Sequence, residues 1–451
     1  MASDSVRVAC GSAGGIDRVA LAVDMATSGH ARYLCLDSLA ERTLALAHLR
    51  QMAGTGAGFD LRLPEYARLL FPLARERDIT VIGNMGAADP SGAVDYLREH
   101  ADACGLSGVK VALIEGDDVL DVLKQSDPIL LETGKHLSDL AHRVVSANVY
   151  LGYEPILEAL RADARIVVGG RIADSSLFLA PLVHEFSWSS DDWERLGAGT
   201  CVGHLLECGT YLTGGNFADP PYTQVEGFHR PSLPFADVAS DGSAVVRKLP
   251  GSDGALTALN CKLQLGYEVH DPAAHRTPDV IADFSNVEVA DTPGGVAVRY
   301  ASGTQRPEQL KVVVGVAGGY IGENQVSYGG FGAVARARLA EAILHERFAA
   351  LAEEFDIEES RVDLLGLNAM HGSASRENPD FEPYEVHVRG AARCGDRRAA
   401  EAVAAEVEYL MLFGPAGVAA GHRARINEIV STYTAFIDRS DVTASVSVTD
   451  L

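Results

Sequence analysis

The sequence predicts an α/β chain, with an N-terminal doubly wound parallel sheet, a mainly β segment and a C-terminal ferredoxin-like α+β domain. Through about residue 186, apolar runs alternate with segments of helical spacing, which is typical of parallel strands joined by helices. Residues 216–306 are rich in Pro, Gly and Asp and carry short alternating runs after turn signals. From about residue 310, one strand precedes the order β-α-β-β-α-β. We therefore predict three regions: 1–215, 216–306 and 307–451.

The first region consists of short strands and intervening helices. Its strands are nearly all apolar, as expected of strands buried on both faces of a sheet. Helix ends follow from a predicted capping box at Ser38 and Glu41, a predicted N-cap at Ser91, and terminating glycines. We predict strands at 6–10, 33–36, 79–83, 109–114 and 165–168, and helices at 16–28, 38–52, 64–77, 91–105 and 191–210.

Other sequence patterns predict the strands and helices of the second and third regions. Alternating runs at 243–248 and 296–300 come after the turn signals Asp241-Gly242 and Gly294-Gly295. In the last region we predict strands at 310–317, 320–328, 361–367, 384–391 and 425–437, and helices at 332–354 and 396–412.

Size and charge limit the classes of function. A chain of 451 residues is long enough for two or three domains, and its net charge of -24 argues against nucleic acid and anionic membranes as partners. The seven cysteines form no Cys-x-x-Cys pair, which favours reduced thiols in a cytosolic protein. Charged residues among the first thirty argue against a signal peptide. We expect a cytoplasmic homo-oligomer without nucleic-acid or membrane partners.

Four predicted strands end at small or polar loops. Because the carboxyl ends of parallel strands meet at one edge of a sheet, we expect these loops to form a single pocket. The acidic loop holds Glu115, Asp117 and Asp118, which could supply an acid-base carboxylate or, through Asp117 and Asp118, bind Mg²⁺. Alternatively, Asp117 and Asp118 only cap the next helix.

The other three loops add hydrogen-bond donors and a cation. The first, with Gly11, Ser12, Gly14 and Gly15, could bind phosphate through its amides, although it is neither Gly-x-Gly-x-x-Gly nor a P-loop and could be a tight turn. The remaining two contribute an amide side chain, an arginine suited to a carboxylate or phosphate ligand, and one more carboxylate. The residues of interest there are Asn84, Gly86, Gly170, Arg171 and Asp174. An Arg171–Asp174 pair that only rigidifies its loop is the alternative.

Helical spacing places His204 and Glu207 on one face of the predicted helix 191–210. Two residues by themselves define neither a metal site nor an acid-base pair.

Several motifs resemble the acyclic terpene utilisation AtuA-like family. They are spread over most of the chain, although the loop 11–15 and Asn216 depart from the pattern expected of the family. The matching stretches are Leu39–Ala45, Asn84–Pro90, Val111–Leu120, Leu177–His184, Thr213–Gly215, Phe217–Pro220, Tyr267–Pro272, Pro278–Phe284 and Gly414–Gly417. The resemblance implies a bacterial cytoplasmic protein of branched terpenoid-acid and CoA-thioester catabolism, with an N-terminal α/β core and a C-terminal ferredoxin-like portion.

Together, the loops and the resemblance lead us to expect a hydro-lyase type enzyme acting on a branched unsaturated or hydroxylated carboxylate or its CoA thioester. Glu115 or Asp117, with Asp174, would supply acid-base groups; Asn84 and the first loop would stabilise an enolate oxygen. Arg171 would hold a carboxylate or phosphate. Two alternatives stay open: a metal-assisted hydrolase or lyase with Mg²⁺ as cofactor, and a non-catalytic partner subunit of the pathway.

Overall fold

The computed structural model describes residues 5–376, 382–419 and 423–451. The chain divides into two compact units, of which the first comprises Met1–Gly315 and Thr432–Leu451 and the second Val316–Ser431. The last twenty residues thus belong to the first unit, a division that differs from the boundary predicted at residue 307.

The strands alternate with helices along most of the chain. The strands are β1 Ser5–Ser12, β2 Tyr33–Leu36, β3 Thr80–Gly83, β4 Lys110–Glu115, β5 Val144–Val149, β6 Ile166–Gly169, β7 Pro234–Ala239, β8 Ala244–Lys248, β9 His275–Arg276, β10 Ile281–Asp283, β11 Glu288–Thr292, β12 Gly295–Arg299, β13 Ser302–Thr304, β14 Gln309–Gly329, β15 Ile357–Leu365, β16 Glu385–Cys394, β17 Val418–Ala419, β18 Arg425–Asp438 and β19 Ser445–Asp450.

The α-helices are α1 Val19–Ser28, α2 Glu41–Met52, α3 Leu63–Leu69, α4 Phe71–Glu76, α5 Pro90–Glu99, α6 Ala101–Cys104, α7 Leu120–Ser126, α8 Glu154–Arg161, α9 Asp174–Phe186, α10 Trp193–Glu207, α11 Ala258–Leu265, α12 Ala333–Leu351 and α13 Arg397–Phe413. Short 3-10 helices lie at Leu137–Arg143, Gly209–Tyr211, Gly372–Ala374 and Arg439–Asp441. Within the described ranges, no helix is both long and apolar enough to cross a membrane.

A ten-stranded sheet organises the first unit, in the order β11-β12-β8-β7-β1-β2-β3-β6-β4-β19. The five central strands β1, β2, β3, β6 and β4 are parallel to one another, as predicted. The sheet as a whole is nevertheless mixed rather than parallel, because β7, β8, β11, β12 and β19 pair antiparallel. The fold class is therefore α/β, with antiparallel strands added at both edges of a parallel centre.

Burial explains why the central strands were recognisable. Every residue of β2, β3 and β6 is buried, so these strands carry continuous apolar runs instead of an alternating pattern. A separate antiparallel sheet in the first unit has the order β13-β10-β9.

Two predicted helix starts were wrong. The helix α2 begins at Glu41, and the Thr43 hydroxyl accepts a hydrogen bond from the Ala40 amide, instead of a box formed by Ser38 and Glu41. At α5, the Asp89 carboxylate, not Ser91, caps the helix by accepting from the Gly92 amide. In both cases a neighbouring oxygen has the better geometry for the first free amides.

The second unit contains its own core between two helices and an antiparallel sheet. Its elements follow in the order β14, α12, β15, β16, α13, β18, which is the β-α-β-β-α-β order that the sequence predicted. In the sheet, β16 lies between β15 and β14, and β18 pairs with β14 on its other side. The two strands predicted at 310–317 and 320–328 are one continuous strand, β14.

Candidate functional site

Asp37 follows β2 at the carboxyl edge of the sheet and is almost completely buried. Its carboxyl accepts a hydrogen bond of 2.8 Å from the side-chain amide of Asn84, which follows β3. The Asn84 carbonyl oxygen accepts from the Ser38 amide at 2.7 Å, so Asn84 fixes both residues that follow β2. Burial raises the pKa of Asp37 well above its ordinary value, and the charge of Asp174 raises it further.

Arg171 lies between β6 and α9, and only 1% of its surface is exposed. Its guanidinium donates to the Leu39 carbonyl at 2.6 Å and to the Ile172 carbonyl at 2.7 Å, and it pairs with Asp174. The ring of Tyr150 lies under the guanidinium, 4.5 Å from its central carbon. Arg171 therefore acts as a fixed positive charge, and its bidentate face is already used by the protein.

Asp174 is the first residue of α9, and 35% of its side chain is exposed. A carboxylate at this position is favoured by the positive end of the helix dipole and by its pairing with Arg171. Asp174 is thus the most accessible carboxyl of a group that also contains Asp37 and Glu207.

The helix α10 brings Glu207 to this group because it packs closely on α9. A Cβ atom at Gly203 would lie 2.6 Å from the carbonyl oxygen of Ser175, in the first turn of α9. Glu207 is one turn further along the same face of α10. Consistent with this approach, the pKa of Glu207 is raised well above its ordinary value by burial first and then by the charge of Asp174.

His204 completes the end of α10. Its Nδ1 atom lies 2.9 Å from Oε1 of Glu207, and its Nε2 atom lies 3.0 Å from the carbonyl oxygen of Gln264 in α11. Burial lowers the pKa of His204. The rings of His275 and Phe284 pack near the imidazole, with centroid distances of 5.3 and 5.6 Å.

The loop after β1 borders Asp37. Its Gly14 and Gly15 have φ angles of 58° and 77°, and a Cβ at Gly15 would lie 2.7 Å from the carbonyl oxygen of Ser38, whereas one at Gly14 would meet no atom within 4 Å. The Ser12 hydroxyl donates to Asp17, which is also bound by Arg62. Gly11 packs against Leu34 and Leu36 side chains, too close for a side chain.

The acidic loop after β4 contains residues in three different environments. Glu115 is exposed and lies opposite Ser445 of β19. The buried carboxylate of Asp117 accepts from the Asn148 side chain at 2.9 Å and from the Arg171 amide at 2.8 Å. The carboxylate of the exposed Asp118 accepts from the amide of Leu120, the first residue of α7, so of the two residues in the capping alternative Asp118 contacts the helix start.

Two of the predicted glycines have packing roles in these loops. A Cβ at Gly170 would lie 2.4 Å from the carboxylate of Asp117, and one at Gly86 would lie 2.7 Å from the carbonyl oxygen of Gly169. The Gly86 amide donates to that same carbonyl at 2.9 Å. These contacts draw the loops after β3, β4 and β6 together.

The proposed Mg²⁺ ligands do not fit a cation site. The Asp117 carboxylate already receives two N–H donors, and Asp118 accepts from the Leu120 amide. Across the described ranges, no group of three or more His, Cys, Asp or Glu side chains is arranged to hold a metal ion. We derive no chemistry through a metal here.

A cavity of about 650 Å³ lies near the N-terminal end of α10, away from Asp37, Asp174 and Glu207. It is lined by charged and polar residues that include Arg195, Asp241, Arg299 and Tyr300. Asp37, Asp174 and Glu207 do not line it. Burial raises the pKa values of Asp37 and Glu207, and side chains perturbed in this way are typical of functional sites.

Comparison with known proteins decides the family. The sequence model of the acyclic terpene utilisation family protein AtuA matches residues 6–448, nearly the whole chain. The chain belongs to the AtuA family. The resemblance seen in the sequence motifs is therefore confirmed. No curated protein and no solved structure matches this AtuA-family chain.

In this AtuA-family protein we name the group formed by Asp37, Asn84, Arg171, Asp174 and Glu207 the carboxyl cluster. Three of its members, Asn84, Arg171 and Asp174, were predicted from the sequence to lie at one edge of the sheet. Asp37 was missed, although the apolar run of β2 ends at it in the same way as the other strands end at their loops. Glu207 was noted only for its spacing to His204, since no local pattern indicates that α10 reaches α9.

Proposed function

We propose that this protein is an enzyme of acyclic terpene utilisation, a hydro-lyase that adds or removes water at a branched unsaturated or hydroxylated carboxylate, free or as its CoA thioester. The family supplies the area of metabolism. The observation that carries the reaction type is the carboxyl cluster, in which Arg171 pairs with Asp174, its charge also acts on Asp37 and Glu207, and the three carboxyl groups experience different environments.

The different environments of the three carboxyl groups favour different roles for them, as acid or as base. Burial favours the neutral form of Asp37 and Glu207, so either can give up a proton, whereas Asp174 is 35% exposed, paired with Arg171 and located at a helix N-terminus. Asp174 is then the base that removes the proton next to the carbonyl group of the substrate. The proposal keeps Asp174, which the sequence predicted as an acid-base group. Asp37 and Glu207 take the place of Glu115 and Asp117.

Elimination of water needs one proton accepted and one donated. In the proposed step, Asp174 takes the proton from the carbon next to the carbonyl, the electron pair of that bond forms the new C=C bond, and the adjacent C–O bond breaks. The leaving hydroxyl takes a proton from a neutral carboxyl and departs as water. Amides of Gly14 and Gly15, beside the open space at Gly14, would stabilise the developing enolate oxygen. Asn84 holds Asp37 in place rather than contacting substrate.

A panel of ligands tests this proposal. We would measure the melting temperature with branched acyl-CoA thioesters, with the matching free acids and with CoA alone. A ligand at one hundred times its dissociation constant stabilises the folded protein by about 2.7 kcal/mol, which raises the melting temperature by a few degrees.

The stabilising ligand would then be incubated with the enzyme, and hydration or dehydration followed by mass spectrometry as a change of one water. Asp174→Asn should show no such mass change, and Asp121→Asn is its matched control, since 94% of the Asp121 side chain is exposed. Selective stabilisation together with this mass change supports the proposal. An unaltered melting temperature with every branched ligand, or stabilisation by CoA alone, contradicts it.

A further inference from the structure

Two side chains at the end of α10 face each other inside the protein. Only 4% of the His204 side chain and 14% of the Glu207 side chain are exposed, and Nδ1 of the imidazole lies 2.9 Å from Oε1 of the carboxyl group. A hydrogen bond of this length requires one proton between the two atoms. The question is which atom carries it.

The contact between His204 and the carbonyl of Gln264 determines the protonation of Nε2. A carbonyl oxygen can only accept, so the contact of 3.0 Å requires that Nε2 of His204 carries a proton. A neutral imidazole has one N–H group, and with that group directed at Gln264 the Nδ1 atom holds a lone pair. With a neutral imidazole, Glu207 is therefore the donor and its carboxyl group is protonated, whereas an imidazolium would donate from Nδ1 to a Glu207 carboxylate.

The surroundings favour this neutral pair over an ion pair. Asp174 and Glu268 both place negative charge near Glu207, and Arg171 is the cation that opposes them. On the imidazole side, burial lowers the pKa of His204 and outweighs the hydrogen bond to Gln264 and the charges of Glu268 and Asp174, which favour protonation. The neighbouring His275 is partly buried, and burial lowers its pKa to about 4, so it adds no positive charge near neutral pH.

We infer that Glu207 is the general acid of the site, that His204 is the positioning residue which receives its hydrogen bond, and that the Gln264 carbonyl fixes the imidazole tautomer. The inference rests on the proposed function, because it names the neutral carboxyl that protonates the leaving hydroxyl. Of the two neutral carboxyls, Glu207 is the better placed, because Asp37 is more deeply buried and is held by Asn84.

The proton balance of a turnover is complete with these groups. During elimination Asp174 gains the proton from carbon, and Glu207 loses its proton to the hydroxyl, which leaves as water. The new Glu207 carboxylate then faces the Nδ1 lone pair, an unfavourable contact that drives reprotonation of Glu207. Asp174 releases its proton to solvent through its exposed side, and Glu207 takes one up. Hydration of the C=C bond is the same sequence in reverse.

The first arm of the test is spectroscopic and needs no substrate. The full-length protein would be labelled with ¹⁵N at its 14 histidines, and the His204 signals assigned as those absent from His204→Gln. We expect a neutral imidazole protonated at Nε2 between pH 6 and pH 8. The tautomer should persist in Glu207→Gln, whose amide can still donate to Nδ1. Imidazolium signals for His204 at pH 7, with both nitrogens protonated, would overturn the inference.

The second arm uses the substrate found with the ligand panel. Glu207→Gln should lower kcat by a factor of about 100 or more with KM changed less than threefold, because the amide keeps the hydrogen bond but cannot give up a proton. Unchanged kcat in Glu207→Gln would overturn the acid role. A neutral Nε2–H imidazole without turnover of any substrate would instead contradict the proposed hydro-lyase function, while the proton assignment of the pair stands.

Discussion

Each of the two units contains a group of carboxyl and guanidinium side chains, and the two groups differ in charge balance. In the second unit Arg389 donates to Glu323 at 2.7 Å and to Asp363 at 2.9 Å, and Arg361 also pairs with Asp363. Two carboxylates thus face two arginines. In the carboxyl cluster of the first unit, Arg171 pairs with Asp174 and its charge also acts on Asp37 and Glu207, so one guanidinium opposes three carboxyl groups.

In our proposal, this difference separates an ion-pair network between strands from a site of proton transfer. Balanced pairs leave each carboxylate charged and occupied. An excess of buried acids forces some of them to stay neutral, which makes protons available near neutral pH. The following predictions test this contrast, starting with the largest expected effect.

Asp174→Asn should abolish most of the activity on the substrate found with the ligand panel. The amide keeps the size of the side chain but cannot accept a proton, so we expect kcat to fall by a factor of about 100 to 10,000. Asp363→Asn in the balanced network is the matched control and should retain activity. Steady-state kinetics with both variants checks this, and equal activity of Asp174→Asn and Asp363→Asn would remove the distinction between the two groups.

Arg171→Met should destabilise the protein more than Arg389→Met. Removing the Arg171 guanidinium leaves buried carboxyls without their cation and the Leu39 and Ile172 carbonyls without a donor, at a cost of about 3–5 kcal/mol. The Arg389 side chain is 29% exposed, and solvent can replace its contacts at a cost of about 1 kcal/mol. Thermal and urea unfolding of both variants would show the order, and a larger loss for Arg389→Met would contradict it.

Asp37→Asn should become more stable relative to the wild type as the pH rises. The pKa of Asp37 is raised in the folded protein, so above the unfolded value of about 4 the folded state binds more protons than the unfolded state. The free energy of unfolding of the wild type therefore falls with increasing pH in that window, and the variant lacks this loss.

Melting temperatures between pH 4.5 and pH 8 would measure the effect. Asp279→Asn is a useful comparison, because burial raises the pKa of Asp279 to about 6. Its relative gain should level off above that pH, which provides a reference for the profile of Asp37→Asn. A relative stability of Asp37→Asn that is constant or falls with pH would argue against a neutral Asp37.

The parallel centre of the sheet was predictable because its signal is local. The runs that form β2, β3 and β6 are apolar without alternation, and this pattern has one main cause, burial on both faces. The edges of the same sheet were not predictable in this way. The strand β19 comes from the last residues of the chain and pairs with β4, so that Glu115, at the end of β4, is exposed beside Ser445.

The carboxyl cluster shows the same limit at the level of single residues. The spacing of His204 and Glu207 predicted a shared helix face, and the rule that parallel strands end together predicted that Asn84, Arg171 and Asp174 lie at one edge. Gln264 lies 60 residues beyond His204 along the chain, and the sequence could not show that its carbonyl oxygen lies 3.0 Å from the imidazole.

By itself, the sequence determined the family, the order of helices and strands in the second unit, the buried parallel strands and the edge of the sheet where polar loops meet. These features depend on local patterns of apolar residues, glycines and motif positions. Only the tertiary structure decided which carboxyls have a raised pKa, because the pKa of a side chain depends on burial and on charges that distant parts of the chain bring near it. The close packing at Gly203, which carries Glu207 toward Asp174, is the contact that creates the carboxyl cluster.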